Sequence, residues 1–220
     1  MRFEKQLLVA GVGLALLAPA FAQAADVKLP STVTWTAYNV SSTGYNQAVA
    51  IGKTLKDAYG TTLRVVPGKN DISRLSPVRD GKVQFSAAGS GTFYAFEGVL
   101  DFANAGFGPQ SIRLLTSARS NACLSMGTAK EENIKTPADL RGKKIGWVRG
   151  APALQTNVAA MMAFGYLGWD DVVKVEMPGF AAAWRGLANG QIDAMTGFTV
   201  GGLAKQAEAS PRGLHWLAFP

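Results

Sequence analysis

Strand-like and helix-like segments alternate along nearly the whole chain, and this order restricts the possible folds more than any single motif does. TVTWTAYNV (Thr32 to Val40) is rich in β-branched and aromatic residues, which suit a strand packed within a sheet. GYNQAVAIGKTLKDAYG follows, with Ala48, Ile51, Leu55 and Tyr59 at helical spacing and Gly60 as its stop. TTLRVVPG reads as a second strand, NDISRLSPVRDG as a short helix with Ile72, Leu75 and Val78 on one side, and KVQFSAAGSG as a third strand. Such a β-α-β-α-β run predicts parallel pairing with right-handed crossovers, because a helix must carry the chain back to the edge where each strand starts. Two apolar segments, IRLLTSARS and ACLSMGT, lead into a second half of the same kind. It runs strand KKIGWV, helix LQTNVAAMMAFGYLG, strand VVKVEMP, helix FAAAWRGLANG, strand QIDAMTG and a last strand-like LHWLAFP.

The expectation is therefore an α/β fold of two similar lobes joined near residues 115 to 128, with a cleft lined by loops at the carboxyl ends of the strands. The 220 residues allow two lobes of about 100 residues each. The chain should cross back to its first lobe, and nothing after LHWLAFP is left to do so, which predicts a C-terminal truncation of that architecture.

Arg2 and Lys5 precede the apolar run Leu7 to Ala18, and small residues follow in APAFAQAA, the pattern of a secretory signal peptide spanning residues 1–22 with cleavage near Ala22. The apolar run is too short for the roughly 20 residues that span a bilayer. Export to the periplasm is the expectation, with lobes at 23–117 and 118–220. Beyond residue 22 the chain carries 20 basic and 14 acidic residues, scattered with no run longer than RGKK. A solvated basic surface accounts for this better than a nucleic-acid partner. Cys123 is the one cysteine, so no internal disulfide can form, and a buried thiol is expected.

Catalytic patterns are absent from the sequence. There is no GxSxG elbow, HExxH helix, CxxC pair, GxGxxG or GxxxxGK[ST] loop, and no metal site or cofactor is indicated. His215, the only histidine, has Trp216 and Leu217 beside it in an apparent strand and reads as structural; Asp170 and Asp171 read as cap or strand-flanking residues. The strand-end loops instead carry small polar residues: NVSSTGYN, PGKND, AAGSGTF, VRGAPAL and TGF. Ser, Thr and Gly there let backbone approach a small solute and offer neutral hydrogen bonds. The candidate ligand-binding residues are Ser42, Thr43, Tyr45, Asn70, Ser90, Arg149, Gly150, Ala151 and Phe198. Arg149 precedes a helix whose N-terminal amides favour an anion, and its guanidinium fork matches a carboxylate. Tyr45, Phe93, Trp147 and Phe198 supply either an apolar wall or core.

SSTGYNQAVAIGKTL, VVPGKNDISRLSPVRDGKVQFSAAGSG, KTPADLRGKKIGW and GFAAAWRGLANGQIDAMTGF, in this order behind a signal peptide, resemble the TAXI family, solute-binding proteins of a class of TRAP transporters. The likeness covers essentially all of the chain after the signal peptide. It implies a two-lobe periplasmic-binding-protein (flytrap) fold that encloses a small organic anion, often a dicarboxylate or an amino acid such as glutamate. The solute passes to a membrane permease driven by an ion gradient. By position, Thr43, Gly44 and Tyr45 match the family's GGTYY loop with one glycine fewer. Arg149 to Leu154 matches its GSGT loop, with GAPAL replacing the Ser and Thr. A type II binding protein serving an ABC importer or a sensor kinase would share the fold, an exported enzyme would need a titratable group in the cleft, and a truncated, non-binding remnant is the third alternative.

Overall fold

The computed structural model describes residues 28–117 and 122–219; the expected signal peptide lies outside them, and so does the segment 118–121 that begins the expected second lobe. The first lobe is a three-stranded parallel sheet in the order β2-β1-β3. Its strands are β1 (Thr32–Ala37), β2 (Thr62–Pro67) and β3 (Phe85–Ser86). Helix α1 (Thr43–Tyr59) carries the chain from β1 to β2, and α2 (Asp71–Arg79) carries it back past β1 to β3. Register runs from Thr32 beside Thr62 to Ala37 beside Pro67 on one side of β1 and pairs Trp35 with Phe85 on the other. The parallel pairing read from the alternation is present. KVQFSAAGSG, however, yields two strand residues, and its glycine-rich end instead starts α3 (Gly91–Glu97). Residues Ile112 to Ser117, the apolar start of IRLLTSARS, form no strand, and Leu114 and Leu115 are exposed.

The second lobe is a five-stranded mixed sheet in the order β6-β5-β7-β4-β8. Its strands are β4 (Leu124–Ala129), β5 (Lys144–Val148), β6 (Val173–Met177), β7 (Ala194–Phe198) and β8 (Leu214–Trp216). Helices α4 (Pro152–Ala163), α5 (Phe180–Ala188) and α6 (Gly202–Glu208) complete it. Strands β5, β6 and β7 are parallel, whereas β4 is antiparallel to β7 and β8. This departs from the expectation that the two halves repeat. The reason lies in where β4 starts: Leu124 pairs with Phe198 at the carboxyl end of β7, so β4 begins at the end facing the first lobe and runs outward.

Two apolar clusters cover the two faces of this sheet, as the alternation of Ala194 and Met195 between them requires. One gathers Trp184, Leu187, Ile192, Met195 and Leu203, the other Met126, Leu140, Ile145, Val158 and Met162. Gly197 leaves the space that the Trp184 indole fills, since a Cβ there would lie 2.5 Å from the ring. Helices α3 and α6, of seven residues each, had no apolar period long enough to mark them in the sequence. Among the described residues no helix is long and apolar enough to cross a membrane.

Candidate functional site

In each lobe the strand order reverses direction at one strand, β1 in the first and β5 in the second. Loops leaving the sheet on either side of such a point diverge and open a crevice at the carboxyl ends of the strands. Strand-end loops of the two lobes meet across the junction. At one side, a Cβ on Gly202 would lie 2.7 Å from the Ser41 carbonyl and one on Gly201 3.6 Å from the Thr43 hydroxyl. At the other, residues 68–72 enter between two loops of the second lobe.

That entry is held by hydrogen bonds from both sides. Asn70 Nδ2 donates to the Arg149 carbonyl at 2.7 Å, and the Ile72 amide to the Gly150 carbonyl at 3.2 Å. The Phe180 amide donates to the Lys69 carbonyl at 3.0 Å, and the Ala181 amide to Asn39 Oδ1 at 3.3 Å. Gly150 has a left-handed φ of 67°, and a Cβ there would sit 2.7 Å from the Asn70 amide nitrogen, so the close approach depends on glycine.

Asp71 lies at the centre of this contact and is fully buried. Its Oδ1 accepts from Tyr38 Oη at 2.7 Å and from Arg74 Nη2 at 2.6 Å. Its Oδ2 accepts from the Ala153 amide at 3.0 Å, in the first turn of α4 across the junction. Arg74 is 2% exposed; it donates to the Ala87 carbonyl at 2.7 Å and lies over the Tyr38 ring at 3.6 Å. Burial raises the Tyr38 phenol well above its ordinary value, which keeps it a neutral donor. Residue 151, the N-cap of α4, is an alanine with no side-chain cap, so the amides of the first turn look outward for an acceptor. An anion does face the N-terminus of α4, but it is the Asp71 carboxylate of the other lobe and not the acid group of a solute that the sequence suggests.

The candidate residues divide by what their atoms do here. Ser42 is buried as the N-cap of α1, its hydroxyl accepting the Tyr45 amide at 3.3 Å. Thr43 and Tyr45 lie in the first turn of that helix, Thr43 near Gly201. Asn70, Gly150 and Ala151 are brought together at the junction. Ser90 precedes α3 on the exposed rim without a capping bond, and Phe198 ends β7 with 43% of its surface exposed. Arg149 departs from its expected role. Its guanidinium pairs with Glu176 of β6 at 2.7 Å and its side chain is 75% exposed; its carbonyl, not its side chain, joins the junction. Trp147 also lies elsewhere, edge-on to Trp169 at 4.8 Å with Lys174 over its ring, and Phe93 is exposed. Cys123, expected to be buried, is exposed.

Sequence reading passed over Tyr38, Asp71 and Arg74. The signal available was the three-residue spacing of Asp71 and Arg74 at the start of a helix, which places opposite charges side by side on one face together with apolar Leu75. Asp171 does cap, accepting the Gly168 amide at 2.8 Å just before β6.

Comparisons with known proteins bear on this architecture. The structure is similar to the alkanesulfonate-binding protein from Xanthomonas axonopodis pv. citri bound to MOPS, with a TM-score of 0.57 and 16% identity over 86% of this chain and 61% of that one. It is also similar to an amino acid ABC transporter substrate-binding protein from Streptococcus pneumoniae bound to L-arginine, with a TM-score of 0.60 and 15% identity over 86% and 76% of the two chains. The arginine-binding protein from T. maritima matches with a TM-score of 0.56 and 15% identity over 86% and 77%. This chain thus spans 61% of the length of the alkanesulfonate-binding protein. At such identities the likeness shows the fold, a two-lobed α/β fold of the periplasmic-binding-protein type. No curated protein sequence matches the chain. The family model described as NMT1/THI5 like matches residues 57–214, from the end of α1 to the start of β8. With most of its length inside that match, the chain belongs to the NMT1/THI5-like family.

Proposed function

We propose that this is an extracytoplasmic solute-binding protein of two lobes, 23–117 and 118–220, that encloses a small organic anion between them and passes it to a membrane permease. The reading is supported above all by one observation: loops at the carboxyl ends of both sheets meet across the junction with backbone donors, small polar residues and glycines. Such a surface recognises a small polar solute by hydrogen bonds from two sides and needs no reacting group. Ser42, Thr43, Tyr45, Asn70, Ser90, Gly150, Ala151 and Phe198 are its ligand-facing candidates, and Arg149 takes part through its carbonyl. Separation of the lobes admits the solute; closure over it excludes water and completes the hydrogen bonds.

An acidic solute, a carboxylate or an amino acid such as glutamate, fits the helix N-terminus and the buried guanidinium at the junction. A TRAP-type permease is the partner that the TAXI resemblance suggests. A second reading, an ABC importer, is favoured by the Streptococcus pneumoniae neighbour, described as an ABC transporter substrate-binding protein. A neighbouring gene for a multi-span permease without an ATPase separates the two.

The test is thermal unfolding of residues 23–220 against dicarboxylates, amino acids, sulfonates and sugars. A solute at about 100 times its dissociation constant adds roughly 2.7 kcal/mol to the folded state, a melting shift of several degrees. A shift with an acidic solute is expected. A cooperative melt that no solute moves rejects the binding-protein reading, and a shift with sugars alone rejects the anion.

A further inference from the structure

Asp71 occupies a built carboxylate site. Tyr38 Oη, Arg74 Nη2 and the Ala153 amide all donate to its two oxygens, and the first two belong to one lobe and the third to the other. The wall formed by Gly91 is close. A Cβ on Gly91 would lie 2.8 Å from the Asp71 carboxyl carbon, so backbone packs directly against the group and leaves no space for a second carboxylate beside it. Arg74 and Asp71 neutralise each other out of contact with water, with side-chain exposures of 3% and 0%. A further negative charge there would face Asp71 at short range with little solvent to screen it.

We propose that Tyr38 Oη, Arg74 Nη2 and the Ala153 amide form the site for the acid group of the solute, and that Asp71 is an internal competitor which fills the site and latches the lobes together until the solute displaces it. This rests on the anion reading above and deepens it by naming the atoms that hold the acid group. The closed arrangement needs a carboxylate at this point, because the first turn of α4 has no cap of its own and Arg74 has no other carboxylate partner among the described residues. A tethered carboxylate is present at high effective concentration, so it lowers the apparent affinity for any free one. The solute must gain enough from its remaining contacts to win the exchange, which makes the site selective for acids that also carry other hydrogen-bonding groups.

Removing the competitor tests this. In Asp71→Ala the lost group has the size of formate. Sodium formate is titrated against sodium chloride at equal ionic strength, following both thermal unfolding and amide exchange in residues 149–158. The expected result is saturable formate binding to Asp71→Ala at least ten-fold tighter than to wild type, with protection returning around Ala153, and loss of both effects in Asp71→Ala/Arg74→Gln. Formate that acts no better than chloride on Asp71→Ala, or equally well on the double variant, overturns the proposal. Should Asp71→Ala fail to fold, Asp71→Asn keeps the fit against Gly91 and is a weaker competitor. It should bind formate several-fold more tightly than wild type, and parity with wild type overturns the proposal. The solute panel on wild type separates the two ideas: a panel solute that binds while formate fails leaves the function standing without the latch, and the converse leaves the carboxylate site standing without the function.

Discussion

In the second lobe fourteen buried residues gather around Trp184 on one face of the sheet and ten more around Met162 on the other, whereas the first lobe's buried apolar cluster consists of Leu75, Ala95, Phe102 and Phe107. The first lobe fills much of its remaining interior with polar groups: Thr36, Ser42, Thr61, Asp71 and Arg74 are all buried. The Thr36 hydroxyl, which donates to the Arg74 carbonyl at 2.8 Å, ties β1 to α2 where a larger sheet would use aliphatic contact. The two modes differ in what they contribute. Apolar burial stabilises in proportion to area, while a buried ion pair roughly breaks even and mainly fixes one arrangement. The second lobe thus rests on larger apolar clusters than the first, and the first places its buried ion pair where the lobes meet.

Trp184→Ala would break the comparison most severely. The indole is 2% exposed and packs on Phe180 and Trp216, so truncation leaves a cavity in the larger core and should cost about 3–5 kcal/mol in denaturant unfolding. Leu75→Ala in the smaller core should fall near the low end of the range for such changes, about 2 kcal/mol, since few neighbours surround it. Equal costs would mean that the first lobe is as well packed as the second.

Arg74→Met examines the polar mode. It strands a buried carboxylate, for which about 3 kcal/mol is the expected loss, while Arg74→Met/Asp71→Leu should recover most of it because neither charge then remains desolvated. A double variant no better than the single one would show that the pair itself supplies net stability. The measurement is again the free energy of denaturant unfolding, read for all three proteins.

Acid should narrow the difference between the lobes. In the second lobe, the Thr136 and Lys135 amides and the Thr136 hydroxyl hold Asp139 below the usual carboxylate range, the Gly168 amide and Arg141 do the same for Asp171, and Lys143 for Glu132. Groups with a depressed folded value contribute stability above about pH 4 and lose it as pH falls through that lower value. In the first lobe Asp80, beside Arg79, behaves likewise, but burial and the nearby Asp71 raise Asp101, whose ionisation costs stability that acid returns. Melting temperature against pH for wild type and Asp139→Asn should therefore diverge at about pH 6 and converge toward about pH 3. A constant gap would remove Asp139 from the acid response.

The lobes also differ in how far they could be read from the sequence. The order of strands and of the four longer helices was legible from β-branched runs alternating with longer segments, and α1 adds a helical period in Ala48, Ile51 and Leu55. The antiparallel β4 was not, since strand direction follows from where the chain enters the sheet and leaves no mark in the residues of LSMGTA. Within the site, the loops were legible by their glycines and hydroxyl residues. Asp71 and Arg74 were not, because burial of a charge depends on a partner 82 positions away at Ala153, which residue type alone does not reveal.

Arg149 shows the same limit from the other side and gives the smallest predicted effect. Its residue type and place before α4 suggested an anion clamp, yet the side chain lies along the surface with Glu176, and an exposed pair of this kind is worth about 0–1 kcal/mol. The atoms that join the lobes are its backbone ones: the carbonyl accepts from Asn70, and the amide donates to the Met177 carbonyl at 3.0 Å, placing the loop beside β6. Alanine keeps both. Arg149→Ala should therefore melt close to wild type and bind any panel solute with unchanged affinity. Asn70→Ala, which removes the side chain that bonds across the junction and caps α2, should cost about 1 kcal/mol and weaken the closed state. If instead Arg149→Ala abolishes binding while Asn70→Ala spares it, the guanidinium must swing inward when the lobes separate, and the acid group is met by Arg149 before it reaches Arg74.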